Sequence, residues 1–370
     1  MQSTANLWLI VPALGFALAF AFGVLAHRTA FCTMGAVSDV VNMGDWSRMR
    51  MWLLAIAVAI LGANLIALLG WVELGKSLYT GERLSLVSHI VGGFLFGVGM
   101  TLASGCGSRN LIRLAAGNLK SLVVLLFLGI TAFMTMKGLL APLRVHLLDP
   151  IALYLTGGQD LPNLLHRASG VDIRVLRSIV AGAIGAALVA FVLRDRAFRA
   201  NREYLLCGIV VGLVIAAGWY VTGHIGHLAE DPETLEEAFV GTDTKRPESF
   251  SYVGPVAYSL QLLLLWTDKS LRMTFGVAIV VGLFSGALVN ALWTGASRWE
   301  GFASAADLRN HILGGILMGF GGVTALGCTI GQGLSGVSTL ALGSFVALGS
   351  IIAGCAATNV VLYKRMLREG

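Results

Sequence analysis

Two stretches carry the reading of this chain: GGFLFGVGMTLASGC at Gly92–Cys106 and GGILMGFGGVTALGC at Gly314–Cys328. They align without a gap at an offset of 222 residues, with eight identities in fifteen, six of them glycine or cysteine. Each is an apolar run at helical length that ends on Gly-Cys. Close helix packing asks for small residues and accounts for the glycines, but it gives no reason for a thiol twice. The same offset sets Arg50 and Met51 on Arg272 and Met273, so the repeat spans most of each half.

The rest of the chain says where such runs belong. Of 370 residues 56% are hydrophobic and 12% charged, whereas soluble domains carry about 25% charged residues. A helix needs roughly 20 apolar residues to cross about 30 Å of hydrocarbon. Hydropathy predicts nine spans, near residues 7–26, 50–71, 86–104, 119–139, 174–195, 204–223, 273–294, 310–327 and 340–362. The first follows Met1 to Asn6 with no basic lead-in and no small-residue cleavage site, and reads as a retained span. Four pieces, 29–44, 105–118, 251–267 and 328–339, fit no full span and read as re-entrant half-helices. Irregular backbone is tolerated in a bilayer only where it is buried in protein or lines a cavity, so such pieces mark a path.

Five span steps separate the two copies, an odd number, which inverts one against the other. The expected fold is therefore an all-α integral membrane protein of about nine transmembrane helices plus four short re-entrant helices, with an inverted-topology internal repeat. Residues 1–140 form the first repeat, 141–203 a connecting segment with a central transmembrane helix, and 204–370 the second repeat.

A net charge of +6 does not point to nucleic acid, because the cations fall mainly in short loops, where they orient spans. Arg194, Arg196, Arg199 and Arg202, with Lys364, Arg365 and Arg368, belong in the cytoplasm; the N-terminus and the acidic stretch Glu230–Glu248 then lie outside. The five cysteines, Cys32, Cys106, Cys207, Cys328 and Cys355, form no CxxC pair and meet no clustered histidines, so neither a metal site nor a disulfide framework is expected. Nucleotide-binding and serine-histidine-acid patterns are missing too. No cofactor and no enzymatic centre are expected.

Cys106 in SGCGSRN and Cys328 in LGCTIGQG each end a glycine-rich span and open a half-helix, with Gly105 and Gly327 at the turn. Unpaired amides and the positive dipole end favour an anion there, and they make a thiol a better donor or a readier thiolate. Ser108, Asn110, Thr329 and Gln332 add neutral donors suited to an oxyanion, while a soft thiol suits a terminal sulfur. Cys32, in HRTAFCTMGAVSD beside Arg28, is an auxiliary candidate. Arg28, Arg109 and Lys120 can gather the anion on the cytoplasmic side, although orientation alone places cations there. Cys207 and Cys355 read as small hydrophobes. Trp71, Trp219, Tyr220 and Trp266 read as interfacial anchors, and His89 and His311, at matched offset, as interfacial residues.

At HRTAFCTMGAVSD, ASGCGSRN and ALGCTIGQG the chain resembles the YeeE/YedE family of bacterial sulfur-transport proteins, over both halves. The resemblance implies a multi-pass protein of the bacterial inner membrane, an hourglass-shaped inverted repeat, and import of thiosulfate past cysteine thiols that donate S–H hydrogen bonds. It also implies a small TusA-like sulfurtransferase as cytoplasmic partner. Carried over by motif, Cys106 and Cys328 are the relay thiols and Cys32 stands near the cytoplasmic opening. One departure matters: the second-half counterpart of Cys32 falls near Gly254-Pro255 in SFSYVGPVAY, which has no thiol. Tyr252 or a backbone group takes its place, or the cargo is another sulfur or a selenium compound. The rival classes are a membrane thiol redox or sulfur-carrier protein, which wants a resolving thiol near the nucleophile, and a structural subunit whose glycines only pack helices.

Overall fold

In lipid the backbone has no hydrogen-bond partner but itself, and the long uncharged runs are accordingly helices. The computed structural model describes residues 4–231 and 235–369. In chain order the main helices are α1 (Thr4–Arg28), α2 (Thr33–Met43), α3 (Ser47–Leu68), α4 (Leu86–Leu102), α5 (Gly107–Ala115) and α6 (Leu119–Lys137). There follow α7 (Ile173–Leu193), α8 (Arg202–Tyr220), α9 (Val253–Leu264), α10 (Phe275–Trp293), α11 (Ala305–Thr324) and α12 (Leu342–Glu369). Between α11 and α12 lies a π-helical turn, Gly331–Gly336. The two-residue strands Arg83–Leu84 and Leu153–Tyr154 pair across loops, as do His227–Leu228 and Ala238–Phe239.

Among the described residues eight segments are long and apolar enough to cross a bilayer. The helix that falls short is α11, whose first turns carry Asp307, Arg309 and His311 and whose remainder is rich in glycine. The four pieces expected to be broken are α2, α5, α9 and the π-helical turn. Pro232 to Thr234 of the acidic stretch, and the side chain of Arg368, lie outside the described residues.

Glycine decides how the long helices meet. A Cβ on Gly92 would stand 2.8 Å from the Gly321 carbonyl oxygen, and one on Gly314 would stand 2.7 Å from that of Gly99. The helices α4 and α11 therefore cross antiparallel, backbone on backbone, as small residues permit. At the offset of 222 residues Gly92 maps to Gly314 and Gly99 to Gly321, so the two contacts map onto each other. Gly93 seats α4 on α12 at Ala347, and its counterpart Gly315 seats α11 on α6 at Val124. Likewise α1 packs on α10 and α8 on α3, while α7 lies outside against α3 with most of its surface uncovered.

Three aromatic and histidine expectations need correction. Trp219 is no interfacial anchor: it is fully buried and its Nε1–H donates to Ser338 Oγ at 3.0 Å. His89 and His311 are buried as well, each with Nδ1 on the carbonyl one turn back, Ser85 at 2.6 Å and Asp307 at 2.8 Å. Helix ends polar enough to look interfacial in sequence are covered here by neighbouring loops.

Candidate functional site

Each of the three thiols at a broken helix is delivered by the same backbone device. Ala30, Ser104 and Leu326 have φ of 53°, 55° and 59°, the left-handed region, and each stands two residues before a cysteine. The next amide folds back across the helix end: Phe31 N–H to Ala26 O at 3.1 Å, Gly105 N–H to Met100 O at 2.8 Å, Gly327 N–H to Gly322 O at 2.8 Å. This is the Schellman closure, normally given to glycine. A non-glycine residue there costs about 1 kcal/mol or more, and the surrounding packing holds that strain three times.

The cysteine then opens the next helix. Its carbonyl accepts the first i+4 bond, Cys32 from Ala36 at 2.9 Å, Cys106 from Asn110 at 2.9 Å and Cys328 from Gln332 at 2.7 Å. The fourth short helix, α9, opens on Tyr252, whose carbonyl accepts from Val256 at 3.3 Å.

These four helix starts converge. The thiols of Cys32 and Cys106 are hydrogen-bonding neighbours, and Cys106 Sγ is 3.3 Å from Ser108 Oγ. Thr329, next to Cys328 in the chain, stands beside Cys106. Cys328 Sγ accepts from Gly331 N–H at 3.3 Å and is approached by the amides of Tyr252 and Ile330. Cys32, Cys106 and Cys328 are 5%, 2% and 1% exposed, so none faces lipid. Tyr252 is fully buried, with its phenol in electrostatic reach of Cys328 and Cys106.

Polar groups line the cluster incompletely. Asn110 turns its amide nitrogen onto Gly105 O at 2.7 Å and Gln332 turns its own onto Ala325 O. Asn110 Oδ1, Gln332 Oε1, Thr329 Oγ1 and Tyr252 Oη are buried without a hydrogen-bond partner. An orphaned buried polar group costs about 1–3 kcal/mol; of these four, the two hydroxyls can donate to an anion and the two amide oxygens cannot.

The cations divide. Arg109, half-buried, has no ion pair among the described residues, and its charge adjoins Cys32, His27 and Arg113. Arg28 is tied to Glu203 at an exposed surface, and Lys120 is held by Asp307 at 2.9 Å and Glu300 at 3.5 Å. Cys207 and Cys355 sit apart inside the helix packing, taking hydroxyl bonds from Thr29 at 3.2 Å and Thr101 at 3.3 Å.

A cavity of about 210 Å³ reaches Gly327, the residue before Cys328, and is lined by Tyr79, Glu248, Ser251 and Gly254 among others. It shares Leu78, Arg144, Thr244 and Leu326 with a wider vestibule of about 710 Å³ that holds Arg83 and Arg246. In the loop between α8 and α9, the Glu248 carboxylate accepts from the amides of Asp243 at 3.1 Å and Thr244 at 3.4 Å and from the Thr244 hydroxyl at 3.0 Å. Burial raises Glu248 to about 8, helped by the Asp243 charge, and burial raises Asp243 to about 6. In sequence this acidic stretch has only a place, outside the membrane, and no signal for the cavity it lines.

A family model described as sulphur transport matches residues 28–357. A thiosulfate transporter TsuA of Spirochaeta thermophila is 26% identical over 363 residues, 95% of this chain and 99% of the relative. One of the same name from Escherichia coli K12 is 24% identical over 360 residues, 94% of this chain and 93% of the relative. With the match running from before Cys32 to beyond Cys355, the chain belongs to the sulphur-transport family.

Proposed function

We propose that this protein imports thiosulfate, or a small anion like it with a terminal sulfur, through the cluster of Cys32, Cys106 and Cys328. The observation that carries this reading is that three thiols come from three separate broken helices, Cys32 and Cys106 as hydrogen-bonding neighbours and Cys328 one residue from Thr329, which stands beside Cys106. The names of the full-length relatives support the cargo.

A dianion in a low-dielectric interior is expensive unless fixed dipoles replace its water. Here the N-termini of α2, α5 and α9, each equivalent to up to about half a positive charge, converge with the backbone amides that open the π-helical turn. The S–H groups donate to the cargo's soft sulfur in turn, from Cys328 to Cys106 to Cys32, and Arg109 receives the anion at the far end. Successive weak donors hold the anion without trapping it. Residues 1–140 and 204–370 act as the two inverted halves around this point, with 141–203 as the connector and α7 outside it. The N-terminus and the vestibule face the periplasm and the C-terminus the cytoplasm of the inner membrane, where a TusA-like sulfurtransferase takes the cargo.

Growth on thiosulfate as sole sulfur source, in a host lacking its own uptake, checks this reading. Cys106→Ala and Cys328→Ala are expected to abolish growth at normal protein level; wild-type growth of both refutes the path.

One observation favours a second reading. Cys32 and Cys106 are neighbours, so a sulfur-carrier protein would have its resolving thiol. In that chemistry a cysteine thiolate takes the outer sulfur of thiosulfate, an S–S bond forms on the protein, the old S–S bond breaks and sulfite leaves. Sulfite release and a persulfide label on Cys106 after exposure to thiosulfate identify that route, whereas passage leaves the anion whole.

A further inference from the structure

Resting on the thiosulfate reading, the unused donors at the cluster say how such an anion is held. Thiosulfate has two unlike ends, one soft sulfur and three hard sulfonate oxygens. Thiols suit the first; the oxygens call for O–H or N–H donors, whose bonds to an anion are short and strong. The neutral groups singled out at the cluster divide by what is already committed. Ser108 Oγ is taken up with Cys106 Sγ, and the amide nitrogens of Asn110 and Gln332 are spent on backbone carbonyls. What those two amides leave open, Asn110 Oδ1 and Gln332 Oε1, are acceptors and repel an oxyanion. Among these side chains Tyr252 Oη is the donor left uncommitted, and Thr329 Oγ1, beside the Cys106 thiol, makes no bond of ordinary length.

Tyr252 is also placed by symmetry. It opens α9 as Cys32 opens α2, so the second half presents a phenol where the first presents a thiol. Its amide approaches Cys328 Sγ, and its ring packs 6.4 Å, centroid to centroid, from Phe22 with zero exposure. Phenylalanine would fill the same space without burying an unpaired hydroxyl, which costs stability. The hydroxyl is therefore free to donate to a bound guest.

We propose that Tyr252, with Thr329, binds the oxygen end of the anion while Cys106 and Cys328 hold its sulfur end, making one two-ended site that selects for an anion with both. The cluster thus reads cargo by the pairing of soft and hard donors across the two halves, and Tyr252 is its specificity-determining residue.

The test is binding of labelled thiosulfate to the purified full chain, displaced by thiocyanate, an anion with a terminal sulfur and no oxygen. Tyr252→Phe is expected to weaken thiosulfate roughly tenfold or more, the usual loss of one hydrogen bond to a charge, and to leave the half-displacing thiocyanate concentration within about twofold. Thr329→Val gives the same selective pattern and serves if Tyr252→Phe does not purify as a monodisperse protein. Unchanged thiosulfate affinity in both variants, parallel loss of both anions, or a wild type that thiocyanate does not displace overturns the two-ended site. A wild type that binds no thiosulfate overturns the transport reading itself.

Discussion

Asn110 and Gln332, 222 residues apart in the chain, each fold an amide nitrogen back onto a carbonyl of the turn before them, Gly105 and Ala325. They lock the turns that aim Cys106 and Cys328. Replacing either with leucine strands a buried carbonyl at a cost of about 1–3 kcal/mol. Asn110→Leu is expected to lower the thermal midpoint by several degrees and to cut thiosulfate uptake by more than its loss of folded protein explains. Circular dichroism melts beside uptake at matched protein check this; a stable, fully active variant contradicts it.

The crossing of α4 and α11 has no room for a side chain at Gly92 or Gly314. Gly314→Val must push two backbones apart, a loss of about 1–3 kcal/mol by the usual cost of overpacking. Fluorescence-detected size exclusion is expected to show aggregation or sharply reduced yield, while Gly301→Ala, in a loop with open space and an ordinary φ, perturbs the yield far less.

Arg109 and Arg28 both looked like anion collectors in sequence, and only Arg109 stands unpaired beside Cys32. Arg109→Gln is expected to lower the uptake rate several-fold, with a weaker dependence on ionic strength than wild type, since screening then has less charge to act on. Arg28→Gln is expected to stay within about twofold. Equal losses in the two variants contradict the division.

Glu248 ties stability to pH. Its carboxyl is raised from 4.5 to about 8 in the folded protein by burial, then by the neighbouring Asp243 charge. A raised acid contributes stability that is whole below its unfolded value and is lost as pH climbs through its folded one. Wild type should therefore lose thermal midpoint relative to Glu248→Gln between about pH 4.5 and about pH 8, with the gap levelling above. Melts of the two proteins in parallel over that range decide it, and a pH-independent gap shows that Glu248 does not titrate there.

The fold was legible because hydropathy and the Gly-Cys repeat are both local signals. They located most of the long helices to within a few residues, missed the start of α11 by five and the end of α12 by seven, and foresaw α2, α5, α9 and the π-helical turn. They brought Cys32, Cys106 and Cys328 forward, yet the contact of Cys32 with Cys106 depends on three-dimensional convergence that no spacing records. The left-handed turns at Ala30, Ser104 and Leu326 were invisible because non-glycine residues occupy them. Trp219 misled because its place near a helix end resembles an anchor, whereas its indole is spent on Ser338. Tyr252 was noticed for where it stood, and its unpaired hydroxyl could come only from coordinates.

The central claim is that three neighbouring thiols hand a sulfur anion onward. Labelled thiosulfate flux into liposomes holding Cys32→Ala, Cys106→Ala or Cys328→Ala, with Cys355→Ala as the packing control, tests it most directly. The account predicts a loss of at least about tenfold for Cys106 and Cys328, a smaller loss for Cys32 and near-normal flux for Cys355. Near-normal flux through the Cys106 and Cys328 variants would contradict it.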